Sequence, residues 1–356
     1  MSAPNPYVDL PPSAFWRRAV SDVSPLEIAD LYQPCFPITR QTVIATAGSC
    51  FAQHIGNRLK AAEFNFLDVE PPPPMLPEAL WRDFSYGMYS GRCGNVYSIR
   101  QLLQMFQRAY GLFTPSETVW EIEGRFYDPF RPTVEPGGFA SAEEAGTMGG
   151  FHLSSLRRIL KKAEVFVFTF GLTEGWIDAK DGAVYPTCPG TIIGTFDPSK
   201  HRFHNFTFSE VMADAETFIA FAREHNPDIK FLFTVSPVPL TATASGDHVL
   251  TASLYSKSVL RAVCGELHQK HDGVDYFPSY EMVASHPYRA MFFNPNLRSV
   301  SHRGVDHVMA AFLSAHGGAD RPEEVAQPEA PTTAEDKALE EERASCEEEA
   351  LEDFGR

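Results

Sequence analysis

The sequence predicts a doubly wound α/β domain, a parallel sheet covered by helices on both faces. Four short apolar runs read as strands: "TVIATA" (42–47), "EVFVFTF" (164–170), "IKFLFTV" (229–235) and "VDYFPSY" (274–280). Three are too continuously apolar for a sheet with one wet face, which places them in a sheet buried on both sides. Amphipathic stretches alternate with these runs: "FAQHIGNRLKAAE", "IRQLLQMFQRAYG", "LSSLRRILKKA", "SEVMADAETFIAFAREH" and "SKSVLRAVCGELHQKH". Alternation of that kind builds βαβ units.

Taken in order, residues 1–40 read as an arm packed on the core through Phe15, Trp16, Tyr32 and Phe36. The polar, Pro-rich start lacks the apolar stretch of a secretory signal, and no apolar run reaches the length of a membrane span. Residues 41–315 form the domain, with a stiff connection in "VEPPPPMLPEALW" (69–81). An aromatic and Gly-rich insertion at 111–150 suits a lid or pocket wall. From 316 to 356 the chain turns to Ala, Pro, Thr and Glu and is expected to be disordered and dispensable, with a fragile helix near "EDKALEEERASCEEEALEDF". Residues 317–356 hold 14 acidic and 4 basic residues, so they carry −10 of the net −16. That balance excludes the basic footprint of a nucleic-acid binder. Cysteines 35, 50, 93, 188, 264 and 346 show no paired spacing, which fits reduced thiols and a cytoplasmic location. No phosphate loop or dinucleotide fingerprint is present, so no cofactor is expected. The His-x-x-His pairs "HRFH" (201–204) and "HQKH" (268–271) lack carboxylate or thiol companions in sequence and read as surface residues, not a metal site.

Chemistry concentrates where strands end, the edge on which parallel sheets bind ligands. The run 42–47 stops at Gly48, and Ser49 and Cys50 follow directly before a helix pattern. Two readings stand here. Gly48 turns the chain, Ser49 caps the helix and Cys50 fills space, or the turn exposes a nucleophile. "GLTEGW" (Thr173, Glu174) follows 164–170, "SPVPL" follows 229–235, and "EMVASHPYR" (His286) follows 274–280. Hydroxyl, thiol, carboxylate and imidazole groups on one edge suit acyl transfer or hydrolysis.

"GSCFA" (48–52) resembles the signature of the GSCFA-domain proteins, a branch of the SGNH (GDSL-like) hydrolases. "GNVYSIRQLLQ" from Gly94, "FVFTFGLTEGWI" from Phe166, "TVSPVPL" from Thr234, "YFPSYE" from Tyr276 and "GVDHVM" from Gly304 extend it over about 35–315. The resemblance implies an SGNH/flavodoxin-like three-layer sandwich with a roughly five-stranded parallel sheet. The chemistry it implies is ester hydrolysis or acyl transfer, often on modified carbohydrates, through a covalent acyl-enzyme. Cys50 falls at the nucleophile position, with Ser49 as runner-up or helix cap. Gly94, with Asn95 beside it, and Thr173, with Glu174, match the oxyanion or substrate positions. The family's Asp-x-x-His base is missing, since those positions hold Asn296 and Ser299. His286 is the nearest replacement by topology, followed by His302 and His54. The missing base also leaves open a catalytically lapsed fold that binds a glycan or a protein. The resemblance names neither the substrate nor the oligomeric state.

Overall fold

In the computed structural model the described residues are 5–316 and 346–355. The strands in chain order are β1 (Ile44–Gly48), β2 (Trp120–Ile122), β3 (Arg125–Tyr127), β4 (Val165–Phe170), β5 (Glu174–Asp178), β6 (Val184–Tyr185), β7 (His201–Asn205), β8 (Lys230–Val235) and β9 (Val274–Tyr276). The α-helices are α1 (Phe51–Ala61), α2 (Ile99–Ala109), α3 (Ala142–Lys162), α4 (Phe208–His225), α5 (Val249–Lys270), α6 (Ser279–Ala284) and α7 (His302–His316). Four strands make the central parallel sheet in the order β1-β4-β8-β9. A fifth position beside β1 is held by a single parallel bridge, Ile44 to Phe66, in which Ile44 N donates to Asn65 O at 2.9 Å and Leu67 N to Ile44 O at 2.8 Å. The five-stranded expectation is thus met by four strands and one bridge.

Side chains alternate between two apolar layers, as the pleat requires. Ile44, Val165, Val167 and Leu232 pack with α1, α6, α7 and the N-terminal arm. Ala45, Ala47, Phe166, Phe168, Phe170, Phe231 and Phe233 pack on the opposite side with α2 to α5. A fully buried Phe contributes roughly 1.5–3 kcal/mol, so the phenylalanine face is the main hydrophobic anchor. In the arm, Phe36 and Ile38 are buried, and the Tyr32 hydroxyl donates to Asp275 at 2.9 Å.

The structure departs from the sequence reading at several elements. Helix α3 begins at Ala142, inside the expected 111–150 insertion, with Ser141 accepting from Glu144 N at 3.1 Å. Gly146, Gly149 and Gly150 weaken the local helix pattern there. Strand β9 stops at Tyr276, and Ser279–Ala284 is helical. A second sheet, antiparallel β6-β5-β7, grows from the "GLTEGW" segment, and β2-β3 form a hairpin within the insertion. "HRFH" therefore lies on a strand, where residues three apart face opposite sides, and His204 pairs with Glu210 at 2.8 Å. His268 does find companions in space. Cys35 and Asp275 present ligand-type atoms within 4.8 Å of it and of one another, although Asp275 already accepts hydrogen bonds from Tyr32 and from Cys35 N. All six cysteines are free. Among the described residues no helix is long and apolar enough to cross a membrane.

The expected disordered tail lies partly outside the described residues, over 317–345. Glu347–Gly355 is instead a 3-10 helix, and Glu347 is only 4% exposed.

Candidate active site at the carboxyl edge of the sheet

The turn after β1 is built by backbone contacts that only glycine permits. Gly48 has φ +145°, and a Cβ there would stand 2.7 Å from Thr169 O and 2.8 Å from Thr169 N on the neighbouring strand. Ser49 N donates to Thr169 O at 3.2 Å, and Val96 N donates to Gly48 O at 2.9 Å. Gly171, just past β4, donates from its N to Tyr97 O at 2.9 Å. A Cβ on Gly171 would meet Ser49 Cβ at 2.9 Å. Three loops, 48–50, 94–97 and 171–173, are thereby stitched together at the strand ends.

Cys50 sits at the head of α1 and is 5% exposed. It occupies the N-cap position in helical conformation, and no side chain caps the helix, so Ser49 is not the cap. The Ser49 hydroxyl is buried and makes no hydrogen bond among the described residues. Ala52 N and Gln53 N donate to Ser49 O and Cys50 O at 2.8 and 3.1 Å, and the dipole of α1 leaves a partial positive charge beside Cys50.

Asn95 is 3% exposed and fixed from several directions. Its Oδ1 accepts from Gln53 Nε2 at 3.1 Å and from the Tyr89 hydroxyl at 2.5 Å, and its backbone O accepts from Gln101 Nε2 at 3.0 Å. With the carbonyl end engaged, the amide nitrogen is the donor that Asn95 offers to the pocket. Gly94, at φ +64°, leaves its Cα face open toward Glu347, whose Oε1 would lie 3.6 Å from an added Cβ.

The C-terminal helix fills this pocket. Thr133 Oγ1 donates to Glu347 Oε1 at 2.7 Å. Burial pushes the Glu347 carboxyl up to about 7, while hydrogen bonds from Thr133 and Asn95 pull it back. The neighbouring Cys346 hydrogen-bonds Cys50, and that bond, followed by burial, drives the Cys50 thiol well above its ordinary range. Arg298 Nη2 reaches Cys346 Sγ at 3.7 Å and Glu348 Oε2 at 3.4 Å. Arg298 comes from the loop that should hold the Asp-x-x-His base. There Asn296 Oδ1 instead accepts from Arg298 N, Ser299 N and Ser299 Oγ, at 3.0, 3.0 and 3.1 Å. Those positions form an Asx turn that aims an arginine, not an imidazole, at the pocket.

Lys257 is the residue the sequence reading missed. It sits on α5, 4% exposed, and its Nζ donates to Gly171 O at 2.5 Å. Burial holds it down to about 8, against the pull of Glu348 and Cys50. In sequence, "SKSVLR" reads as an ordinary polar helix face, and only the approach of α5 to the strand ends shows otherwise.

Other expected site residues stand elsewhere. Thr173 is fully buried, and its hydroxyl donates to Asn205 Oδ1 at 2.7 Å, so its one hydrogen is committed and cannot serve an oxyanion. Glu174 accepts from Thr243 at 2.6 Å and raises the Glu348 carboxyl electrostatically, which places it at the pocket's rim. His286 is exposed and stacks on Trp16 with ring centroids 5.4 Å apart. His54 packs on Phe51, is held down to about 4 by burial, and neighbours His302.

The fold is α/β, and a thiol on a glycine-built strand-to-helix turn, an amide and a buried lysine lie at the carboxyl edge of its sheet. The chain belongs to the GSCFA family, whose sequence profile matches residues 43–312. Among curated proteins the chain finds no match.

Proposed function

We propose that the protein is an SGNH-like esterase or O-acyltransferase that works through a thioester on Cys50. One observation carries the reading. The chain's own Glu347 carboxylate takes hydrogen bonds from Thr133 and Asn95 while the adjacent Cys346 meets the Cys50 sulfur. An acyl group that takes the place of this segment would turn its carbonyl oxygen toward Asn95, as the Glu347 carboxylate does, and cover Cys50 as Cys346 does.

Lys257 as the free amine takes the Cys50 proton, and the thiolate adds to the ester carbonyl. The resulting oxyanion is held by the Asn95 amide and the positive end of the α1 dipole. Collapse breaks the C–O bond, and Lys257 returns the proton to the leaving alcohol. Lys257 then deprotonates water or an acceptor hydroxyl, which attacks the thioester and regenerates the thiol. A lysine near 8 suits this double role close to neutral pH. A cleft of about 600 Å³ lined by Phe84, Tyr127, Thr133, Ile192 and Ile193 runs to Thr133 and gives room for the remainder of a small ester, such as an acylated carbohydrate.

Paired variants test the reading. Cys50→Ala should abolish acyl-enzyme formation and Ser49→Ala should leave it in place. The reverse pattern moves the nucleophile to Ser49, and labelling of neither residue removes the enzyme reading in favour of a binding module.

A further inference from the structure

We propose that the Cys50 pocket selects an ester bearing an anionic group close to the reacting carbonyl, and that residues 346–355 close it as an internal mimic of that ligand. The inference rests on the acyl-transfer reading for the word ester, and on geometry alone for the charge. Arg298 is 8% exposed, a costly placement for a permanent cation unless an anion meets it. It comes from the loop before α7 and meets two acidic residues of the tail, Glu348 at 3.4 Å and Glu349 at 3.9 Å. Arg298 Nε is buried with no hydrogen-bond partner among the described residues, so the guanidinium keeps a donor for a larger anion. On the opposite wall, among the described residues, the neutral side chains of Thr133, Asn95 and Tyr97 face Glu347. The pocket is therefore polarised, with a neutral end suited to a developing oxyanion and a cationic end suited to a permanent charge.

The occupant reproduces that polarity in consecutive residues. Cys346 covers the nucleophile, Glu347 lies at the neutral end and Glu348 at the cationic end. This contact reverses the expectation that the tail is dispensable. An ester carrying a carboxylate or phosphate competes with Glu348 for Arg298 and displaces the segment, whereas a neutral ester does not.

The test needs no knowledge of the substrate. In the full-length chain, Glu347→Ala/Glu348→Ala removes the two tail carboxylates seated deepest in the pocket without adding charge, and alkylation of Cys50 is followed by peptide mass analysis. The variant should react about tenfold or more faster than the parent, and its iodoacetate-to-iodoacetamide rate ratio should exceed that of N-acetylcysteine by about tenfold, the low end of what focused charge gives an association rate. Arg298→Met in that background should return the ratio to the N-acetylcysteine value. If Arg298→Met does not fold, protection serves instead: at constant ionic strength, succinate or inorganic phosphate should slow Cys50 alkylation in the double variant, and glucose should not. Stronger protection by succinate assigns a carboxylate, and by phosphate a phosphoryl group. Equal alkylation rates in parent and double variant overturn the internal mimic, and an unchanged reagent ratio without anion protection overturns the anionic ligand. Failure of any ester to acylate Cys50 would remove the acyl-transfer reading while leaving these charge measurements intact.

Discussion

Replacing Gly48 by alanine attacks the site at its foundation. The added methyl group would lie 2.7 Å from Thr169 O, 2.8 Å from Thr169 N and 2.9 Å from Thr169 Cβ. The two nearest atoms are backbone, belonging to the residue that pairs with Gly48 in the β1–β4 ladder, so neither can swing aside. Holding a residue with a Cβ at φ +145° costs on the order of 1–3 kcal/mol, and forcing the clash apart adds typically ~1–3 kcal/mol. The sum, roughly 2–6 kcal/mol, is a large share of a domain's net stability of about 5–15 kcal/mol. Urea unfolding followed by far-ultraviolet circular dichroism measures it, and Gly48→Ala should move the midpoint to clearly lower urea. A free-energy change under about 0.5 kcal/mol, the range of an ordinary surface substitution, would refute the claim that the turn between β1 and α1 depends on this close approach.

Asn95→Asp keeps the acceptor that Gln53 and Tyr89 use and removes the amide donor, so acylation by an activated ester should slow about 10²–10³-fold; a loss under threefold would take Asn95 out of the oxyanion site. In the tail-displaced background, Lys257→Met should lower acylation about 10²–10⁴-fold and erase the fall in rate on the acid side, where the amine protonates. His286→Ala should leave both rate and profile unchanged, because that ring stacks on Trp16 instead. Burial holds His54 down to about 4 from an ordinary 6.5. The unfolded chain therefore takes up the proton first, and stability present above pH 6.5 is lost as pH falls toward 4, by up to about 3 kcal/mol. Urea midpoints at pH 4.5 and 7 should draw together in His54→Gln, and an unchanged gap would show that His54 is not the group responsible.

The parallel sheet was legible because its strands are buried on both faces and read as unbroken apolar runs, as in "EVFVFTF". Cys50 and Asn95 were legible because each is fixed by local sequence, a glycine turn or a Gly-Asn pair. What the sequence hid depends on distant chain segments meeting. Lys257 looks like a solvated lysine until α5 crosses the sheet edge, and Arg298 looks like a loop arginine until the Asx turn of Asn296 aims it inward. His286 was drawn toward the site by its place after β9, but the chain turns into α6 first and carries the ring away. Acidic composition made the tail read as wholly solvated, and nothing local in "CEEEALEDF" announces the buried Arg298 that it meets.

The account centres on Cys50 as an acyl acceptor, and one trapping measurement addresses that directly. Full-length Glu347→Ala/Glu348→Ala protein is mixed with p-nitrophenyl acetate, quenched in acid at short times and digested for peptide mass mapping. The account predicts acetylation of the peptide carrying Ser49 and Cys50, with the fragment ions placing it on Cys50 and neutral hydroxylamine removing it as a thioester. Acetylation that resists neutral hydroxylamine and maps to Ser49, or no acetylation of this peptide while other lysines and thiols react, would contradict it.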